Sequence, residues 1–277
     1  MCIRDSTITR IHSIAGRLQG IDQLQQQRPF RSPHHSCSAA ALLGGGRSPR
    51  PGEVSLAHGG VLFLDELAEF PRTVLDLLRQ PLEEGAVQIS RAQQSTVFPA
   101  LITLVAATNP CPCGWHGDRD HPCRCSISQR QRYWQRLSGP LLDRLDLQLR
   151  LERRTAREMA EVLNHQHTPT QASTLWCNPA RIQGARQRMH QRNPGGACNG
   201  RLSAADLRHS GAIEAEALDL WEQLIDQRGL STRSSLQLLR VARTIADLND
   251  RSRVDRNAVA QASCYRCSDL LKQPGAQ

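Results

Sequence analysis

Two short, unbroken apolar runs, each stopping at polar residues, constrain this chain more than any other feature. Val61-Leu62-Phe63-Leu64 ends in Asp65-Glu66, and Leu101-Ile102-Thr103-Leu104-Val105-Ala106-Ala107 ends in Thr108-Asn109-Pro110. Runs of this kind suit strands covered on both faces of a parallel sheet. Between them, Val74, Leu75, Leu77, Leu78 and Leu82 give a helix over 71–83, and Val87/Ile89 and Val97/Phe98 flank a polar tip in a hairpin over 86–100. Strand, helix, strand in this order predicts an α/β domain with a mainly parallel sheet. Leu145 to Leu151 alternates apolar with polar residues and reads as an outer strand. Ile8, Ile11, Ile14, Ala15 and Leu18 predict a helix over 7–27.

The strand endings carry the chemistry. An apolar strand delivering Asp65 and then Glu66 has the form of a Walker B element. There the first carboxylate holds Mg²⁺ and the second polarises a water against a γ-phosphate. An acidic helix start after a strand is the plainer alternative. The second strand weighs against it, because Asn109 ends that strand as the water-orienting residue ends the neighbouring strand of additional-strand nucleotide hydrolases. An Asn side chain can donate to a phosphate and accept from a water. Further on, Ser138-Gly139-Pro140-Leu141-Leu142-Asp143-Arg144-Leu145-Asp146 offers Arg144 at a short turn. That guanidinium suits either an arginine finger for a neighbouring subunit or a surface ion pair with Asp143 or Asp146.

One absence bears on the same chemistry. Of 35 Lys+Arg residues only Lys272 is a lysine, and no glycine loop precedes it. A Walker A loop ending in Gly-Lys-Ser/Thr, a Schiff-base lysine and a kinase-type lysine are therefore excluded from these 277 residues. The net charge of +9 favours an acidic partner such as nucleic acid, although an arginine bias can also follow from GC-rich coding. Aromatics at 4% imply an aliphatic core. No run of 18 apolar residues and no basic-then-apolar start occurs, so we expect a soluble cytoplasmic protein without a membrane segment.

Cys111-Pro-Cys113 and Cys123-Arg-Cys125 place four thiols on one loop, the ligand inventory of a structural Cys₄ zinc site. The one-residue spacing within each pair is tighter than usual, so reduced thiols and a redox role stay open. His34 and His35, being adjacent, point in different directions; a loop role near the nucleotide or a pore is expected rather than a shared metal.

Beyond a linker rich in Thr, Gln and Asn, helices are predicted at 178–191, 203–209, 213–227, 231–248 and 255–271. In the fourth, Leu238, Val241, Ala242, Ile245 and Leu248 form an apolar face. Arg240 and Arg243 read as its solvated opposite face, and Arg233 stands at the helix start. The expected organisation is an α/β core over 7–155, a linker over 156–179 and a helical domain over 180–273.

Several of these segments together resemble a known family. Arg28-Pro29-Phe30-Arg31-Ser32-Pro33-His34-His35-Ser36, Gly44-Gly45-Gly46, Pro51 to Leu67 and Asn109-Pro110-Cys111-Pro112-Cys113-Gly114 resemble the magnesium-chelatase-like AAA+ ATPases of the ComM/YifB type. So do Ser138 to Asp146 and Ala242 to Leu248. The resemblance covers about residues 7 to 272. It implies a partial AAA+ P-loop core followed by an all-helical lid, with ATP and Mg²⁺ as cofactors. It also implies a hexameric homo-oligomer acting on single-stranded or branched DNA, as in branch migration during natural transformation. Asp65 and Glu66 then match Walker B, Asn109 sensor 1, Arg144 the arginine finger and Arg233 sensor 2. The 86–100 hairpin resembles one that faces the central pore, which makes Arg91 a candidate DNA-phosphate contact; a charge shielding an exposed hairpin edge is the alternative. A metal-inserting chelatase ATPase is the second functional reading.

The family's phosphate loop is not among these residues, and we expect it N-terminal to them. Without its nest of backbone N–H groups and its lysine, residues 1–277 alone should hydrolyse little or no ATP. Glu66-dependent turnover by this fragment in an ATPase assay would contradict that expectation.

Overall fold

Gly60 and the apolar run behind it set the centre of the fold. The computed structural model describes residues 3–18, 24–46, 49–91, 94–164, 178–210 and 212–266. Its contacts divide the chain into one unit ending at Leu145 and a second beginning at Asp146.

In the first unit, β1 (Phe30–Arg31), β4 (Val61–Leu64) and β7 (Thr103–Ala106) form a parallel sheet in the order β1-β4-β7. Phe30 pairs with Val61, and Val61 through Leu64 pair with Thr103 through Ala106. Gly60 makes the close approach possible: a Cβ there would lie 1.9 Å from the Pro29 carbonyl oxygen. Its own carbonyl accepts the Thr103 N–H at 3.0 Å. This is the partial AAA+ α/β core.

One face of the sheet is buried. Leu62 and Leu64 are fully enclosed with Phe70, Leu75, Leu78 and Leu141, and Leu104 and Ala106 pack against them. The opposite face corrects the expectation of strands covered on both sides. Phe30 is 63% and Val105 44% exposed, and Phe30 stacks on Phe63 at 6.2 Å between ring centroids. Leu145 to Leu151 is not a strand either, and Leu147, Leu149 and Leu151 are exposed. An alternating pattern needs a neighbouring strand edge, and among the described residues no strand pairs with this segment; the Gln148 N–H donates instead to the Tyr265 carbonyl at 2.7 Å.

Shorter elements surround the sheet. α1 (Ile3–Ile14) buries Ile8 and Ile11 and ends before Gly16 at φ +73, well short of the predicted residue 27; residues 19–23 lie outside the described residues. The chain continues through α2 (Ala39–Leu43), β2 (Gly44–Gly45), β3 (Arg50–Pro51) and α3 (Glu53–Leu56). The helix predicted over 71–83 is two pieces, α4 (Arg72–Asp76) and α5 (Arg79–Glu84). Pro81 accounts for the break, since it has no N–H to donate to the Leu77 carbonyl. The predicted hairpin is present as an antiparallel pair, β5 (Ala86–Arg91) and β6 (Gln94–Pro99), with Val87 and Phe98 buried. Its tip residues 92 and 93 lie outside the described residues. α6 (Ile127–Trp134) and α7 (Gly139–Leu142) follow the cysteine loop.

The second unit is helical, as expected of a lid: α8 (Ala156–Asn164), α9 (Pro179–Arg192), α10 (Ala204–Ser210), α11 (Ala215–Arg228), α12 (Thr232–Leu248) and α13 (Arg256–Cys264). Linker residues 165–177 lie outside the described residues. Leu238, Ala242 and Ala246 of α12 pack with Ala217, Val259 and Ala262.

The reading of Arg240 and Arg243 as a solvated face is corrected here. Arg243 is 0% exposed, and Arg240 is half-buried with Nε donating to the Leu202 carbonyl at 2.8 Å. Arg243 Nη2 meets Asp247 Oδ1 at 3.0 Å and also donates to the Arg251 carbonyl. Asp247 further accepts both Arg192 Nη1 (2.6 Å) and Nη2 (2.9 Å), and Asn199 Nδ2 (2.8 Å). Burial alone would raise the Asp247 carboxyl, but bonds from Arg192 and Asn199 and the Arg243 charge hold it below the ordinary carboxylate value.

Asp247→Ala should therefore lower the stability of the helical unit by about 3 kcal/mol, because it strands buried guanidinium charge. Since folding lowers this pKa, the contribution is present above the unfolded value of about 4 and is lost as pH falls through the folded one. Denaturant titrations near neutral and acid pH check both: the gap between wild type and variant should narrow in acid.

Candidate functional site

The register of β4 and β7 brings the strand endings level. Leu64 pairs with Ala106, the Ala107 N–H donates to the Leu64 carbonyl (2.9 Å), and the Leu67 N–H donates to the Ala107 carbonyl (2.8 Å). Asp65-Glu66 and Thr108-Asn109 thus leave the same end of neighbouring strands. All four residues are exposed. Glu66 is left-handed at φ 51, an arrangement that costs a non-glycine residue about 1 kcal/mol or more. Asp65 Oδ1 accepts the Glu66 N–H at 2.8 Å and holds the turn.

His35 reaches the same carboxylate, with Nδ1 2.9 Å from Glu66 Oε2. Its ring lies 4.0 Å from that of His34 and edge-on to Phe70. His35 thus contacts the second acid of the pair, and His34 bonds Ser36 instead.

The segment after the cysteine loop braces both strand endings. Trp134 Nε1 donates to the Pro110 carbonyl at 3.0 Å, and the Tyr133 hydroxyl lies 3.4 Å from Thr108 Oγ1. Arg136 Nη1 donates to the Ala68 carbonyl (2.9 Å) and Glu69 Oε2 (2.8 Å), on the turn that follows Glu66. Ser138 Oγ donates to Asp76 Oδ1 at 2.7 Å. Sequence reasoning missed this brace. The one available signal was a Tyr-Trp pair, Tyr133-Trp134, in the helix after the cysteines of a chain with few aromatics.

The four cysteines converge. Sγ of Cys111 lies 3.4 Å from that of Cys113 and 3.7 Å from that of Cys123, and Cys113 and Cys123 are 3.6 Å apart. With Cys125 included, all four sulfurs fall within 4.8 Å of one another. Disulfide sulfurs would stand about 2 Å apart, whereas tetrahedral zinc at about 2.3 Å from each sulfur sets them about 3.8 Å apart. Backbone N–H groups of Trp115 and Arg124 draw the Cys113 thiol down to about 6. Burial pushes Cys111 up, and pushes Cys125 up to about 12. A cation among these sulfurs would favour the thiolate at each of them.

Arg144 and Arg233 are the two arginines that the sequence singled out for nucleotide contact. Arg144 Nη2 is ion-paired with Glu83 of α5, and Nη1 donates to the Pro140 carbonyl at 2.5 Å. Neither Asp143 nor Asp146, the partners considered from sequence, is the residue it meets in that pair. Arg233 lies in the first turn of α12 in the second unit, half-buried, behind a cap in which Ser231 Oγ accepts the Ser234 N–H. Burial raises the Asp146 carboxyl, while the charges of Arg266, Arg240 and Arg233 oppose that shift. Arg91 ends β5 opposite Gln94; its side chain lies outside what is described.

A parallel sheet delivering two acids and an amide to one end, followed in the chain by a separate helical unit, defines an AAA+-type protein. The family model for magnesium chelatase subunit ChlI matches residues 4–159, and the model for its C-terminal part matches 178–266. The chain belongs to this magnesium-chelatase-like family, within its ComM/YifB type. It is 41% identical to the uncharacterised protein YifB of Escherichia coli over 253 residues, 91% of this chain and 48% of that protein. It is 41% identical to the competence protein ComM of Haemophilus influenzae over 248 residues, 90% of this chain and 47% of that protein. An uncharacterised protein of Mycobacterium tuberculosis is 38% identical over 260 residues, 94% of this chain and 50% of its own. The chain thus spans about half the length of the curated relatives it matches. No helix among the described residues is long and apolar enough to cross a membrane.

Proposed function

We propose that this chain supplies the hydrolytic edge and the helical lid of a homo-oligomeric, hexameric ATPase that remodels single-stranded or branched DNA in the cytoplasm. The level endings of β4 and β7 carry the reading, because they set Asp65-Glu66 beside Asn109. The donor set suits a hard cation: Asp65 keeps Oδ2 available while Oδ1 takes the Glu66 N–H. Asp65 would hold Mg²⁺, which neutralises phosphate charge when bound. Glu66 polarises the attacking water and Asn109 orients it. The phosphate loop this chemistry needs is not in these 277 residues. Arg144 acts on a neighbouring subunit's nucleotide after leaving Glu83, and Arg233 reaches the γ-phosphate from the lid. The core over 7–155 and the helical domain over 180–273, joined by 156–179, divide these roles.

The DNA part draws support from the Haemophilus relative's name, competence protein, and from the +9 charge. Arg91, at the end of β5 in the hairpin, is the contact we assign to a DNA phosphate. The family models' description, a magnesium chelatase subunit, favours the second reading, an ATPase partner in metal insertion. Titration with forked and single-stranded DNA separates the two. Affinity should fall roughly tenfold or more between 50 and 200 mM salt, and Arg91→Ala should lower the salt slope by about 1. No binding at low salt would support the chelatase reading instead.

In a protein that joins this chain to a phosphate loop, Glu66→Gln should reduce ATP turnover by about 10²-fold or more while nucleotide binding persists. Cys111, Cys113, Cys123 and Cys125 hold a structural zinc. Metal analysis of the purified chain should find about one zinc, released when the thiols are titrated. Four freely reactive thiols with no metal release would refute it.

A further inference from the structure

We infer that the cysteine cluster, with its zinc, is a staple that positions Asn109, so that metal occupancy sets the geometry of one strand ending in the nucleotide site. This deepens the zinc assignment above and rests on it. Cys111 is fully buried and stands two residues past Asn109. The second thiol pair ends at Cys125, and Ser126 then caps α6 reciprocally with Gln129. Arg130, one turn into the helix, donates back to the Cys125 carbonyl at 2.9 Å. The metal would therefore tie the exit of β7 directly to the start of α6.

The far end of that helix returns to the same place. Trp134 holds the Pro110 carbonyl and Tyr133 meets Thr108, one residue to either side of Asn109. The segment from Thr108 to Trp134 is closed twice: two aromatic side chains join its ends, and four sulfurs close an inner loop from Cys111 to Cys125. Closing the inner loop through a metal adds a second constraint on Thr108-Asn109-Pro110 to that of the aromatic contacts. Arg136 carries the same brace to the turn after Glu66. Loosening the inner loop should therefore release the Asn109 end first.

The alternative is that Tyr133 and Leu137, both buried in the core of the first unit, fix α6 without help from the metal. Hydrogen–deuterium exchange on this chain, read by mass spectrometry, decides between them without needing ATP turnover. Zinc is quantified first, then removed with a chelator. A Cys123→Ser, Cys125→Ser double variant serves as a second metal-free form. The staple predicts at least tenfold faster exchange over 105–112 and 127–137 in both metal-free forms, with α12 in the helical unit unchanged. Trp134→Phe should speed exchange over 105–112 while zinc content stays the same. Zinc bound but exchange over 105–112 indifferent to its removal would overturn the staple and leave the zinc assignment standing. Absence of metal in the purified, zinc-supplemented chain would overturn both, while the assignments of Asp65 and Glu66 would be untouched.

Discussion

The nucleotide site proposed for this chain depends on the parallel pairing of β4 with β7. Four residue pairs in register, continued by the Ala107 to Leu64 hydrogen bond, set two strand ends at the same level. Both strands are short, so a one-residue slip would turn Leu62 and Leu64 out of the core and displace the acids relative to the amide. Burial of those leucines against Phe70, Leu75 and Leu78 is what specifies the register. The placement of Asp65, Glu66 and Asn109 is thus maintained by hydrophobic packing on one face of a three-stranded sheet.

Around that pairing, polar contacts refine positions that packing leaves loose. Glu66 adopts a left-handed backbone that the Asp65 side chain supports, and His35 touches its carboxylate. Trp134, Tyr133 and Arg136 reach both strand endings from one helical segment. The helical unit uses a different device, a buried carboxylate at Asp247 shared among Arg192, Asn199 and Arg243. Removing that carboxylate leaves guanidinium charge in a site with little water to solvate it, so the network specifies how α9 and α12 pack.

Much of this was legible in the sequence. The runs ending at Asp65 and Asn109 revealed strands because unbroken apolar residues have few other places to go, and the hairpin and lid helices followed from periodicity. Leu145 to Leu151 misled because alternation records suitability for a strand, while a strand also needs an edge to pair with. Arg243 misled because periodicity cannot distinguish a solvated guanidinium from one neutralised by an aspartate one turn away. Pairing of Arg144 with Glu83 was equally hidden: residues far apart in sequence met through the packing of α5. The cysteine cluster was visible from spacing alone, but the bond from Trp134 to the Pro110 carbonyl beside Asn109 was not, since the two residues lie 24 apart in sequence.

The central claim is that Asn109 and Glu66 act on one nucleotide from adjacent strand ends. Single-turnover hydrolysis by Asn109→Ala, in a protein joining this chain to a phosphate loop, tests it most directly. The rate should fall by about 10²-fold with ATP affinity nearly unchanged, as for loss of one positioned hydrogen-bonding group. Hydrolysis at the wild-type rate would contradict the account.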